Sequence, residues 1–391
     1  MKQLTRVLGV VGVVIASSVA PAATGGASPR DAKAPAPLAS VTQVSAGGLH
    51  TCALRSTRGG TVMCWGAGTA GQLGNGAMAD SKIPVGVRGL TAVTQISSGW
   101  GHTCALLTST HVECWGAGTS GQLGDNQLTN SDVAVQVKRL AGVKQVSAGQ
   151  DHTCALLTSG SIDCWGMGTS GQLGDGKWLS TKEPVAVQGI TNALQVSAGG
   201  YHTCALLVTH KVKCWGQGRY GQLGTNQLVN RNVPIGVAGS LANSTEITAG
   251  EYHTCALILT GSGVASCWGR GNHGQLGNGY IAKHSLPVAV ASLTYATQLS
   301  AGAFHACALI TSRHIKCWGQ GDSGQLGNNM STDSPNEVVV SGISTATQIT
   351  LGAFHSCALL TTGNVQCWGQ GLNGQLGNNQ KVDEPVPVTV L

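Results

Sequence analysis

A motif of about 50 residues occurs seven times in this 391-residue sequence and restricts its fold more than any other feature. Each copy carries HTCAL or a close variant, then CWG, then GQLG. The first cysteines of successive copies lie between 50 and 52 residues apart, from Cys52 to Cys357. A fixed period of this length is typical of solenoids, propellers and arrays.

Each copy shows four short strand-like segments separated by glycine-rich turns. In the third copy the first three predicted strands cover 144–149, 152–158 and 161–166. The fourth lies around PVAV at 184–187, where proline indicates an outer edge strand. No segment shows helical periodicity. Seven equal units of four strands favour an all-β propeller, whereas a sandwich would not explain the regular period.

The pattern Gly-x-x-His-Thr-x-Ala-Leu, followed by Trp-Gly-x-Gly-x-x-Gly-Gln-Leu-Gly, resembles the regulator of chromosome condensation (RCC1) repeat family. The resemblance covers the chain from about Val41 to its end and implies a seven-bladed β-propeller, which we place at 38–391. The sequence departs from the commonest family pattern at two positions per copy, where cysteine replaces an apolar residue.

Paired cysteines predict one disulfide in each blade. Cys154 and Cys164 are ten residues apart, and a three-residue hairpin loop with Gly160 in the left-handed conformation would place them opposite each other. The sequence leaves two alternatives for the paired cysteines: a His-x-Cys…Cys zinc site and buried free thiols. The predicted pairs are Cys52–Cys64, Cys104–Cys114, Cys154–Cys164, Cys204–Cys214, Cys255–Cys267, Cys307–Cys317 and Cys357–Cys367.

The N-terminus predicts export. Lys2 and Arg6 precede the apolar segment 7–20, and Ala20-Pro21-Ala22 provides small residues for a signal peptidase. We therefore predict a signal peptide at 1–22 and a flexible leader rich in Ala, Pro and Gly at 23–37. The apolar segment is shorter than a bilayer-spanning helix, so we expect a secreted protein without a membrane anchor.

Composition narrows the classes of partner. Only 10% of the residues are charged, the formal net charge is +6, and no run of Lys and Arg occurs. We therefore expect no nucleic-acid partner. We also expect a monomer without a cofactor or a metal ion.

The repeated His and Trp residues are best explained as parts of the fold. Catalysis needs a unique constellation, but these residues recur in every copy, as His152 and Trp165 do in the third. The sequence shows no nucleophile with its base, no paired catalytic carboxylates and no phosphate loop. We therefore predict no catalytic residues and no enzyme activity. A lyase or hydrolase is the alternative, for which the non-repeated residues His273 and His284 would be candidates.

The copies differ most in the two residues between the repeat Gly and His. These dipeptides lie in the turn between the first and second strands, and such turns collect around one end of a propeller channel. Aromatic side chains beside a few charges have the composition of a protein-binding hot spot. The predicted partner-binding residues are Leu49, Trp100, Gln150, Asp151, Tyr201, Glu251, Tyr252, Phe304 and Phe354.

Other functions of these residues remain open from the sequence. The side chains could instead plug the channel, or stack on the sugars of a carbohydrate. The superfamily that the chain resembles includes a secreted bacterial β-lactamase inhibitor with aromatic contacts at corresponding positions, which implies a protein-binding and inhibitory module. A nuclear member of the family is an exchange factor for a small GTPase, a role that export argues against.

Overall fold

The computed structural model describes residues 36–239, 241–259 and 261–391. The predicted signal peptide and most of the predicted leader lie outside these residues. Among the residues described, no helix has the length and apolar character needed to cross a membrane.

The chain forms seven antiparallel sheets, each built from four consecutive strands. The first strands are β1 (Val41–Ala46), β5 (Val93–Ser98), β9 (Val143–Ala148), β13 (Ala193–Ala198), β17 (Ser244–Ala249), β21 (Ala296–Ala301) and β25 (Ala346–Leu351). The second strands are β2 (His50–Arg55), β6 (His102–Leu107), β10 (His152–Leu157), β14 (His202–Leu207), β18 (His253–Ile258), β22 (His305–Ile310) and β26 (His355–Leu360).

The remaining two strands of each sheet follow in the same order. The third strands are β3 (Thr61–Gly66), β7 (Val112–Gly116), β11 (Ile162–Gly166), β15 (Val212–Gly216), β19 (Val264–Gly269), β23 (Ile315–Gly319) and β27 (Val365–Gly369). The fourth strands are β4 (Ser81–Gly86), β8 (Ser131–Gln136), β12 (Thr181–Ala186), β16 (Arg231–Gly236), β20 (His284–Ala289), β24 (Ser334–Val339) and β28 (Glu384–Thr389). The single helix of the described residues is a 3₁₀ turn at Thr57–Gly59.

This architecture is the predicted seven-bladed propeller, with small shifts at the strand ends. The fourth strand of the third blade, β12, begins at Thr181, three residues before the predicted segment. Pro184 lies within β12, which pairs with β11 on one side only, as expected for an edge strand. His284 is the first residue of β20.

All seven predicted disulfides are present, and no cysteine is free among the described residues. Cys154 lies directly opposite Cys164 in the register of β10 and β11, with the two Cα atoms 4.1 Å apart. The connecting loop has three residues and ends at Gly160, whose φ of 84° is left-handed as predicted. The zinc and free-thiol alternatives for the cysteines are therefore wrong.

The hydrophobic core lies between the blades. Each disulfide packs against the next blade, so that Cys104 and Cys114 share a cluster with Ala155 and Trp165. The seven CWG tryptophans and all fourteen cysteines have no solvent exposure. Trp165 and Ala155 thus share one face of their sheet, as the alternation of the strands predicts.

The ring closes by contacts between the first and seventh blades. Strand β28 pairs with β27 and completes the seventh blade without joining the first. Trp65 of the first blade packs in one cluster with Cys357 and Cys367 of the seventh. The backbone N–H of Leu38 also donates to the carbonyl of Val390 at 3.0 Å.

Candidate functional site

The candidate site lies at the end of the propeller that carries the turns between first and second strands, which we call the upper end. The opposite end, with the hairpins between second and third strands, is the lower end. In the third blade, Gly149 N–H donates to His152 C=O at 2.8 Å, which leaves Gln150 and Asp151 as a two-residue loop. A Cβ on Gly149 would lie 2.4 Å from the Gly199 oxygen, so the close approach of neighbouring turns requires glycine.

The first residue of each turn faces the channel. These residues line an axial opening of about 90 Å³. Trp100 covers Gly48 of the preceding blade, where a Cβ would lie 3.0 Å from the indole ring. These inner positions are Gly48, Trp100, Gln150, Gly200, Glu251, Ala303 and Ala353.

The second residue of each turn is directed away from the axis, and four of these residues form a continuous row of rings. The ring centroids of Tyr201 and Tyr252 are 5.7 Å apart. The Tyr252–Phe304 and Phe304–Phe354 distances are both 6.0 Å. We call Tyr201, Tyr252, Phe304 and Phe354 the aromatic arc, with one ring from each of the fourth to seventh blades. All four side chains are half-buried.

Four of the nine predicted partner-binding residues form the arc. The aromatic contacts of the described residues do not include Trp100, which is the inner residue of its turn. The first residue of each turn lines the axial opening, whereas the arc is formed by second residues. Leu49, Trp100, Gln150, Asp151 and Glu251 lie at the same end, and each is half-buried.

Four residues outside the turns extend the arc, and the predicted set of partner-binding residues did not include them. Tyr220 meets Tyr252 edge to face at 5.2 Å. The Arg270 guanidinium lies 5.3–5.4 Å from the centroids of Tyr220, Tyr252 and Phe304. The loops between CWG and GQLG also differ among the copies, and this difference was the available signal. The four residues are Arg219, Tyr220, Arg270 and His273.

The cationic groups contribute to the electrostatics of the arc. Arg219 lies 5.0 Å from the Tyr220 ring, and Arg270 contacts the same ring. Neither guanidinium has an ion pair within 4.0 Å in the described part of the chain. Cation–π contacts hold a guanidinium against aromatic rings without neutralising its charge. The arc is thus an apolar surface with positive charge.

Two acidic residues lie beside the arc, and burial raises the pKa of each carboxyl group. For Asp151 a hydrogen bond from Gln150 opposes the shift. For Glu251 the Tyr252 hydroxyl and the Arg270 guanidinium oppose it. Burial, followed by interaction with Glu251, also raises the pKa of Tyr252. Gln150 Nε2 donates to the Tyr201 hydroxyl at 2.8 Å, so the polar inner positions are connected to the end of the arc.

His273 lies at the edge of the arc. Its ring lies 5.6 Å from Phe304, and its Nδ1 atom lies 2.9 Å from Asp333 Oδ2. His284 lies elsewhere, within reach of Asn278. The described residues contain no cluster of three or more His, Cys, Asp or Glu that could hold a metal ion.

Two sequence profiles, both described as regulator of chromosome condensation (RCC1) repeat, match across the blades. The chain belongs to the RCC1 repeat family. One profile matches residues 41–72, 93–122, 143–172, 194–222, 296–325 and 346–375. The other matches residues 59–106, 112–156, 159–206, 211–257, 263–309 and 317–359. Among curated proteins, none matches this RCC1-repeat chain in sequence.

Solved structures share the RCC1-repeat fold at low sequence identity. Prp20p from Saccharomyces cerevisiae is 22% identical over 86% of this chain and 87% of its own, with a TM-score of 0.75. Yeast RCC1 (Prp20) bound to Kap60 is 23% identical over 84% of this chain and 83% of its own, with a TM-score of 0.75. Human WBSCR16 is 21% identical over 85% and 94% of the two chains, with a TM-score of 0.77.

Proposed function

We propose that this RCC1-repeat propeller is exported and binds a protein partner through its upper end, where it acts as an inhibitory or adhesive module. The aromatic arc is the observation that supports this most strongly. Interface hot spots are enriched in Tyr and Arg and cluster at the centre of an interface. Here four rings from four consecutive blades lie in one row, and Arg270 contacts two of them.

The geometry of the arc suits a protein surface. The rings are half-buried, so they lose little conformational freedom when a partner covers them. Their neighbours at the inner positions include Gln150 and Glu251, which offer polar groups beside the rings. A partner would thus meet an apolar surface with polar groups on its axial side, as in many protein interfaces.

Structural neighbours support a protein as the partner class. The report on the yeast protein Prp20p describes its binding to Gsp1p and histones. A second structure shows yeast RCC1 bound to Kap60. We do not transfer these partners to this chain, and we propose neither nucleotide exchange nor enzyme activity for it.

Export rests on two observations. Seven disulfides are typical of proteins that fold in oxidising compartments. The basic start and the apolar segment 7–20 have the pattern of a signal peptide.

The proposal is tested by capture of extracellular proteins with the purified protein. The Tyr252→Ala, Phe304→Ala double variant should lose a partner that the wild type retains. Tyr295→Ala is the matched control, because Tyr295 is an exposed aromatic residue in a connection between blades at the lower end. Equal capture by the double variant would contradict the site. Binding to a glycan array without protein capture would instead favour the carbohydrate alternative.

A further inference from the structure

The lower end of the channel contains a repeated contact between blades. Each first strand is an edge strand, with backbone groups that its own sheet leaves without partners. The Gln195 side chain forms hydrogen bonds with two such backbone groups in the next blade. Its Oε1 accepts from Ile247 N–H at 2.9 Å, and its Nε2 donates to Ile247 C=O at 3.1 Å. The glutamines that occupy this position are Gln43, Gln95, Gln145, Gln195, Gln298 and Gln348.

The fifth blade has a glutamate at this position. Glu246 Oε2 accepts from Leu299 N–H at 3.0 Å, as the glutamine oxygens do. An ionised carboxylate has no N–H or O–H group, so in this form Glu246 cannot supply the second hydrogen bond that five of the six glutamines give to the next blade. The carbonyl oxygen of Leu299 therefore lacks the amide donor that five of the other six blades provide, and Glu246 Oε1 takes the place of that donor.

A cavity of about 680 Å³ opens beside Glu246, which forms part of its wall. Leu194, Leu257 and Leu259 contribute apolar surface to its wall, and Thr245 and Thr297 contribute hydroxyl groups. The cavity is thus large enough for a small molecule and has an apolar side and an acceptor side.

The charges around the cavity leave the carboxylate without a counter-ion. Lys144 and His210 are the cationic or titratable side chains that line the cavity with Glu246. His210 Nδ1 lies 2.9 Å from the Ser244 carbonyl oxygen. Among the described residues, no cationic group lies within 4.0 Å of Glu246. An unpaired carboxylate in a poorly solvated position favours the arrival of a positive charge.

We propose that this lower cavity binds a small molecule with a primary ammonium group, which donates to Glu246 Oε1. An ammonium group carries three N–H donors and one positive charge, so it can donate to Glu246 Oε1 and neutralise the carboxylate. A short alkyl chain on the ammonium would lie against the leucine side chains of the wall. This site is at the opposite end from the aromatic arc and is independent of the proposed protein partner.

The test uses the full-length secreted protein and n-butylammonium chloride as the probe, at about pH 8.5, where Glu246 is ionised and the probe is still protonated. We expect the probe to raise the melting temperature of the wild type above that in sodium chloride of equal ionic strength. Glu246→Gln should bind the probe at least about tenfold more weakly, by loss of the ion pair. This variant should fold, because glutamine occupies the position in the other six blades.

Two further measurements make the outcome decisive. Tetramethylammonium has the charge but no N–H group, so it should leave the melting temperature unchanged. Tyr252→Ala, which alters the arc, should respond to n-butylammonium like the wild type. The proposal is overturned if wild type and Glu246→Gln respond equally, if neither responds, or if tetramethylammonium has the same effect as n-butylammonium.

Discussion

The Nε2 atom of His102 lies 2.8 Å from the Thr153 hydroxyl oxygen of the next blade. Thr153 donates its own proton to the Gln122 carbonyl at 2.9 Å, so the imidazole must be the donor in the contact with Thr153. The proton of the neutral ring is thereby fixed on Nε2. The Nδ1 atom is buried without a partner in the described residues, so a second proton on the ring would have no acceptor.

Acid should therefore destabilise the protein through its seven repeat histidines. Burial lowers the pKa of each to about 3 or 4, whereas an unfolded histidine titrates near its ordinary value of 6.5. The unfolded chain then binds protons that the folded chain does not bind. The free energy of unfolding therefore falls as the pH decreases below 6.5. Each histidine should contribute up to about 1.4 kcal/mol per pH unit, with the full slope reached about one pH unit below 6.5. Urea unfolding between neutral and mildly acidic pH measures the slope, and a flat profile would contradict the prediction.

Replacement of Ala306 by Thr should stabilise the protein. The other six blades have Thr or Ser at this position, and only His253 lacks a partner for its Nε2 atom among the described residues. The new hydroxyl would accept from His253, which should raise the free energy of unfolding by about 1 kcal/mol. Ala306→Val is the control, because it adds similar volume without a hydroxyl. If both variants were equally stable in urea, the missing hydrogen bond would not be the cause.

Glu246 should make stability depend on pH in the opposite direction. Burial raises its pKa from 4.5 to about 7, although the Leu299 N–H opposes the shift. The folded state thus keeps a proton that the unfolded chain releases. The contribution of Glu246 is fully present below pH 4.5 and is lost as the pH rises through about 7.

Comparison with Glu246→Gln isolates this contribution, because the histidines are the same in both proteins. The free energy of unfolding of the variant should increase by about 1–3 kcal/mol relative to that of the wild type as the pH rises through this range. Calorimetry at matched pH values gives the difference. A constant difference across the range would show that Glu246 does not titrate there.

Removal of one disulfide should lower the free energy of unfolding of the protein. Cys154→Ala with Cys164→Ala opens a loop that restricts the unfolded chain, which is worth about 2.5–3 kcal/mol in the chain-entropy model. Both residues are also fully buried against the next blade, so lost packing adds to the effect. Urea unfolding measures the loss. Cys52→Ala with Cys64→Ala, whose hairpin is two residues longer, should give a similar value.

The sequence was sufficient for features that lie within one blade. The opposition of Cys154 and Cys164 follows from their spacing and from the turn at Gly160, because hairpin register is a local property. The sharing of one sheet face by Ala155 and Trp165 follows from strand alternation for the same reason.

Features that depend on neighbouring blades could not be predicted from the sequence of a single blade. The turn dipeptides were identified as variable, but their division into inner and outer positions depends on how neighbouring turns approach each other. Arg270 reaches the rings of Tyr220 and Phe304 in two other blades, which no local pattern indicates. The glutamine contacts, and the exception at Glu246, also join residues more than 50 positions apart.

The contact between Leu38 and Val390 brings the two ends of the propeller chain together at 3.0 Å. Each blade is also complete in itself, with four consecutive strands and its own disulfide. The closed ring therefore does not require any particular blade to come first in the sequence. A circularly permuted gene, with a short linker between the old ends and new ends in the connection between two other blades, should encode the same closed ring.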